Sequence, residues 1–343
     1  MNVRREAREV VVFCTGAEPA FGHPSSAATL AARGRLISAA VGFWHQVEPA
    51  SCDRLRLFGD TGGEIAGTAR LVREAGARFA GLFHNLLYGA SAKSREVAAR
   101  LLCGEGNAER FAADAGRTAR EYGYDEVNVD LEHVPPSLRG ALSDFVELFA
   151  RTLHGLGVAV SASVPAKTWD DPEHGWSGAF DYARIGAAVD RVYLMTYDEH
   201  GYSSGPGPIA SNGWVEAVVK YAVTAIPAEK VYLGLAGYGF DWAEGKKPRY
   251  LSHAQAVAKA EERGVSIRRD PASGAPTYRY RENGEEHEVW FEDAVSSKGK
   301  LALVESYGLA GIALWRAGLE DPGLWEEVDR AFDVRKPAPR AAF

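Results

Sequence analysis

Apolar, β-branched runs recur along the chain, and each gives way to polar or aromatic residues at its end. Short runs of this kind, bounded by turn residues, read as strands. They fall at 10–13, 36–43, 78–84, 124–132, 158–164, 191–197, 231–238 and 310–315, eight in all. Between most of them the apolar positions change to three- and four-residue spacing. After Pro135 and Pro136, Leu142, Phe145, Val146, Phe149 and Leu153 form one such stripe, closed by Gly155 and Gly157. Residues 64–75, 108–122 and 214–225 repeat the pattern, whereas the Ser/Ala/Gly-rich link between the first two strands carries only a weak helix signal. Strands alternating with helices imply a parallel sheet, and eight repeats predict an α/β fold of the (β/α)8 TIM-barrel type. An open doubly wound sheet would carry G-x-G-x-x-G after its first strand, and TGAEPAFG at 15–22 does not supply it. The connection 241–307 is too long for a plain βα loop. It predicts a helix at 253–263 and short strands at 266–270, 276–283 and 287–293, around turns at Ser273–Gly274 and Asn283–Gly284. The expected organisation is one (β/α)8 domain over 1–333, with a small α+β insertion at 243–305 between strands seven and eight, and a loose tail at 334–343.

Within the fourth strand, Val127, Val129 and Leu131 alternate with Asn128, Asp130 and Glu132. Alternating side chains point to opposite faces, so Asp130 and Glu132 share one side with α-carbons roughly 6.5–7 Å apart. A solvated edge strand would alternate in the same way, but two acids on one face repel each other, and Lys, Thr or Ser would serve there equally well. Barrel enzymes build their sites at the C-terminal ends of the strands. Here those ends carry Phe43-Trp44, His84-Asn85, Asp130 and Glu132, Pro165-Ala166-Lys167, Tyr197-Asp198, Tyr238-Gly239 and Trp315-Arg316. Flat rings suit the apolar faces of sugars, and adjacent acids suit cleavage of a glycosidic bond.

These residues carry a resemblance. DEVNVDLE (125–132) resembles the D-G-x-[DN]-x-D-x-E signature of glycoside hydrolase family 18. LMTYDE is similar to that family's sixth-strand element, and GIALWRAGLEDPGLW to its eighth-strand tryptophan region. LEHVPP, SASVPAK, MTYDEH and YGFDW resemble its spore-cortex-lytic and cell-wall N-acetylglucosaminidase branch, over about residues 36–325. The resemblance implies a retaining hydrolase that cleaves β-1,4 bonds at N-acetylglucosamine in peptidoglycan, the substrate's 2-acetamido oxygen acting as nucleophile. It implies that Glu132 is the general acid and Asp130 orients the acetamido N–H, with Asn128 beneath it in the catalytic set. Tyr197 would donate to the acetamido oxygen, and Trp315 would floor the sugar pocket. Asp198, Met195, Tyr238, Asn85 and Trp44 are expected to bind substrate. Glu126 replaces the signature's glycine, where little effect is expected, and Asn128 stands where many members have aspartate. Ala236 sits where relatives often have proline. The third strand ends FHN, not the S-x-G-G of chitinases.

Composition narrows the alternatives. A net charge of −7 argues against nucleic acid or an anionic membrane as partner. No stretch approaches the ~20 apolar residues of a membrane span. The apolar run near the N-terminus is too short for a signal peptide, so synthesis in the cytoplasm is expected, with association to spores implied by the resemblance. Cys14, Cys52 and Cys103 are expected to be free, buried thiols. The nine histidines show no metal-binding spacing, so no metal or cofactor is expected. A monomer acting on an N-acetylglucosamine-containing glycan is the leading expectation. A chitinase, a non-catalytic chitin- or peptidoglycan-binding protein on the same fold and, last, a metal-dependent hydrolase are the alternatives.

Overall fold

A computed structural model describes residues 6–58 and 62–338, and the eight runs close into a parallel barrel. Its strands, β1 to β8, are Ala7–Cys14, Ala39–Val47, Arg78–His84, Glu126–Asp130, Ala159–Pro165, Arg191–Met195, Val231–Ala236 and Gly311–Trp315. Each lies parallel to its sequence neighbours, and β1 pairs with both β2 and β8 to complete the ring. Side-chain alternation divides the core into two layers. Val10, Val12, Val127, Val129, Ile312 and Leu314 pack outward with helix residues such as Phe111, Phe145 and Phe149, while Val11, Phe13, Phe43, Leu82 and Tyr193 fill the barrel. The helix Arg139–His154 turns Leu142, Phe145, Val146, Phe149 and Leu153 onto that outer layer. A further helix, Ser91–Cys103, buries only Ser94, Val97, Ala98 and Leu101, a stripe of mostly small residues, while the link after β1 holds the short helix Ala27–Arg33 and the 3-10 turn Gly34–Leu36.

The inward face of β4 therefore reads Glu126, Asn128, Asp130 from the bottom of the barrel to its mouth. Glu126 is fully buried in an ionic cluster. It accepts from the Tyr193 hydroxyl at 2.6 Å and Arg78 at 3.2 Å and forms an ion pair with Arg191 at 3.1 Å, while Glu9 accepts from Arg78 at 2.8 and 2.6 Å and from Tyr232 at 2.6 Å. Glu126, where little effect is expected, is thus part of the barrel floor, where two carboxylates and two guanidiniums neutralise each other.

The insertion begins sooner than the sequence pattern indicates. β7 stops at Ala236, and after Gly237 the chain enters a strand, Tyr238–Ala243, of a separate antiparallel sheet. That sheet runs Arg249–Ser252, Tyr238–Ala243, Glu285–Phe291, Pro276–Glu282, Arg268–Arg269. It carries the helix His253–Glu262, started by a capping box between Ser252 and Gln255. Asn283 and Gly284, at φ 52° and 83°, make its two-residue hairpin turn. The insertion thus spans 238–291. Ala294–Ser306, all but its last residue inside the expected 243–305, is instead the barrel helix that leads into β8.

The expected loose tail is partly pinned. Val334 pairs with Arg8, and Lys336 donates to the carbonyls of Gly34 and Ala75 at 2.6 and 3.0 Å. Residues 339–343 lie outside the described residues. Cys14, Cys52 and Cys103 are free, but Cys103 is exposed. Among the described residues no helix is long and apolar enough to cross a membrane, and no group of three or more His, Cys, Asp or Glu side chains is placed to hold a metal ion.

Candidate active site

Asp130 ends β4, and Glu132 lies two residues past it, beyond the reach of strand pairing. Asn85 supplies the support that the ladder no longer gives. Its Oδ1 accepts the Glu132 N–H at 2.8 Å, and its Nδ2 donates to the carbonyls of Glu132 and Ser94, each at 2.9 Å. Asn85 is fully buried, so the expectation that it touches substrate is corrected: it fixes the backbone of the acid. Asn128, also fully buried, is held from both ends, donating to Ser161 at 3.0 Å and accepting from Ser163 at 2.9 Å. The S-x-S of β5, facing the N-x-D of β4, was a legible sign of this clamp.

Asp130 is 5 % exposed, and its Oδ1 has no hydrogen-bond partner. Burial pushes its carboxyl up to about 7. Burial, then the charges of Asp130 and Asp198, hold the Glu132 carboxyl well above the usual carboxylate range. Asp198 is exposed as a residue. Protein packed about its carboxyl raises it to about 6, against the Tyr238 hydroxyl that donates to it at 2.6 Å. Tyr238, expected to bind substrate, is thus a buried support for Asp198. Burial and these same carboxylates keep the Tyr197 hydroxyl protonated far above neutrality, and so available as a donor. His133 and Asp198, at φ 56° and 59°, occupy the left-handed region without being glycine. Such positions cluster at functional sites because packing must hold them there.

Trp315 ends β8 as a half-buried ring, its centroid 5.4 Å from Phe13 and 5.5 Å from Phe43. Phe43 stacks on His84 at 4.2 Å. His84 accepts the Leu86 N–H on Nδ1, and burial pushes its pKa down to about 3, so the ring is neutral. Met195 ends β6, half-buried beside Tyr197 and Asp198 in sequence. The structure therefore gathers Asp130, Glu132, Met195, Tyr197, Asp198 and Trp315 at one end of the barrel.

Trp44 does not join them. β2 pairs Phe43 with Leu82 but His45 with Phe83, so Trp44 is the extra residue of a bulge. Its ring turns to the outer layer beside Phe79 and lies over Gly42, where a Cβ would collide with it. Phe43 takes the inward place. Two exposed rings at the rim, Tyr88 at 66 % and Tyr202 at 57 %, were also not singled out by the pattern, since each sits in a loop without periodicity.

A carboxyl held above its usual range beside a second carboxyl, a phenol and an aromatic ring, at the C-terminal end of a (β/α)8 barrel, define a glycosidase-type site. The sequence profile of the Glycosyl hydrolases family 18 matches residues 92–320, and the chain belongs to that family. It is similar to the cortical fragment-lytic enzyme of Bacillus subtilis (strain 168), 36 % identical over 250 residues. That match takes in 71 % of this chain and spans 58 % of the relative's length. The crystal structure of the Bacillus cereus spore cortex-lytic enzyme SleL superposes with a TM-score of 0.84 at 27 % identity, covering 97 % of this chain and 76 % of that one. A chitinase from Chromobacterium violaceum gives 0.83 at 26 % identity, covering 96 % and 100 %.

Proposed function

We propose that this protein is a retaining N-acetylglucosaminidase that cleaves the β-1,4 bond of peptidoglycan by substrate-assisted catalysis. The observation that carries the reading is the Glu132 carboxyl, held well above the usual carboxylate range by burial and by Asp130 and Asp198. A general acid must keep its proton near the working pH, and this one can hand it to the leaving glycosidic oxygen. Asp130, deep and without a hydrogen-bond partner on Oδ1, is poorly suited to attack a sugar. It is suited to accept the acetamido N–H and so turn the acetamido oxygen toward the anomeric carbon, while the Tyr197 hydroxyl donates to that oxygen. The oxazolinium ion formed in this way is opened by water from the face that the leaving group has vacated, breaking the bond to the acetamido oxygen, and the configuration is retained. Glu132 takes the water's proton in that second step. Trp315, walled by Phe13 and Phe43, offers the apolar face of the sugar a flat partner.

The likeness to cortical fragment-lytic enzymes supports peptidoglycan as the glycan. Chitin is the second reading, favoured by the likeness to the Chromobacterium chitinase. Digestion of purified spore cortex and of chitohexaose in parallel, by wild type and Glu132→Gln, tests both. New N-acetylglucosamine reducing ends from cortex, absent with Glu132→Gln, are the expected result. Cleavage of chitohexaose alone would favour the second reading, and full activity of Glu132→Gln would end both.

A further inference from the structure

A cavity of about 870 Å³ lies beside the catalytic mouth and takes no part in the chemistry above. Its wall is formed by Leu57, Phe58, Leu87 and Tyr88, with Arg56 and Lys93 as its charged groups. A run of rings connects it to the sugar site. Trp315 lies 5.5 Å from Phe43, Phe43 5.7 Å from Phe58, and Phe58 5.7 Å from Tyr88. These contacts, through the buried ring of Phe43, place the cavity next to the sugar site, within reach of a group that branches from a glycan seated on Trp315.

The charges name the branch. The chain as a whole is acidic, and the mouth itself is lined by the carboxyls of Asp130, Glu132 and Asp198 with no basic group among them. The cavity reverses that sign. Lys93 forms no ion pair among the described residues. Arg56 donates to Gln46 Oε1 at 2.9 and 2.5 Å and lies 3.9 Å from Glu48, so part of its charge is already answered. No carboxylate lines the cavity among the described residues. We infer that this cavity holds a carboxylate-bearing substituent of the glycan, the acid of a lactyl ether or of a peptide attached to it. A homopolymer of N-acetylglucosamine has no such group, so the cavity would select a muramyl-containing strand over chitin. The inference rests on the peptidoglycan reading given above.

The test uses Lys93→Glu and Arg56→Gln, both at sites open to solvent. Lys93 lies in the first turn of the helix Ser91–Cys103, where an acid is well tolerated. Three soluble substrates are compared with wild type: peptide-bearing muropeptide oligomers, the same glycan stripped of peptide but keeping its lactyl carboxylates, and chitohexaose. The expected result is a KM raised roughly three- to tenfold by Lys93→Glu on a carboxylate-bearing substrate, the scale of a half-exposed charge pair, with kcat kept. Chitohexaose should be unaffected. A rise on both muramyl substrates identifies the lactyl acid, and a rise on the peptide-bearing one alone identifies the peptide acid. Equal effects on all three substrates, or none on any, would overturn the cavity's role while leaving the enzyme assignment intact. Wild type inactive on both muramyl substrates would overturn the peptidoglycan reading, and this inference with it.

Discussion

Replacing Asp130 by asparagine should stabilise the protein at pH 8 while it removes activity. The carboxyl is buried, its Oδ1 has no partner, and burial moves it from an ordinary value of 3.8 to about 7. A folded-state value above the unfolded one means that the native protein holds this proton more tightly. The group therefore costs nothing below about pH 4. Its cost grows as the pH rises through the window between the two values and is complete above 7. At about 1.36 kcal/mol per tenfold, the full charging cost is on the order of 4 kcal/mol. Asparagine removes that term but buries an amide whose donors lack partners, which costs about 1–3 kcal/mol at every pH. The amide cost cancels when the same pair of proteins is compared at two pH values. Urea unfolding of wild type and Asp130→Asn at pH 4 and pH 8 should thus show the variant gaining roughly 3–4 kcal/mol relative to wild type between the two. The loss of repulsion on Glu132 acts in the same direction. A stability difference independent of pH would refute the reasoning, because it would mean that Asp130 carries no ionisation cost in the fold.

Other consequences follow from single contacts. Asn85→Ala deletes the bonds that fix the Glu132 backbone; at about 1–3 kcal/mol, kcat should fall roughly ten- to hundredfold with KM little changed, and an unchanged kcat would show that the acid needs no such support. Glu126→Gln leaves Arg78 and Arg191 with Glu9 as their remaining carboxylate in the barrel floor. It should destabilise by about 3–5 kcal/mol, read as a lowered melting temperature by circular dichroism, and an unchanged melt would contradict the network. Trp44→Phe should leave kcat and KM within about twofold, since that ring packs in the outer layer and its Nε1 has no hydrogen-bond partner. A large rise in KM would put the ring back in the sugar site.

The barrel was legible because its signal is periodic and repeated. Val10 and Val12 against Val11 and Phe13, or Val127 and Val129 against Asn128 and Asp130, declare two faces in a few residues. Asp130 and Glu132 were legible for the same reason, and the family resemblance then attached roles to them. What the pattern missed was set by departures from period. One bulge residue in β2 exchanges the directions expected of Phe43 and Trp44. The break at Gly237 lies inside an apolar run, so strand β7 and the first insertion strand read as one. Asn85 and Tyr238 stand at strand ends as substrate ligands would, yet each spends its polar atoms on another site residue, a distinction carried only by three-dimensional packing. The cluster around Glu126 was hidden because its members, Glu9, Arg78, Arg191, Tyr193 and Tyr232, come from four other strands.

The central claim is that the substrate's own acetamido group replaces an enzyme nucleophile while Glu132 supplies the proton. Time-resolved proton NMR of the anomeric signals during cleavage of an N-acetylglucosamine-containing oligomer tests it most directly. The account predicts that the β-anomer appears first and mutarotates later, and that an oligomer with free glucosamine at the cleaved position is not cut. First appearance of the α-anomer, or equal cleavage of the de-N-acetylated oligomer, would contradict it.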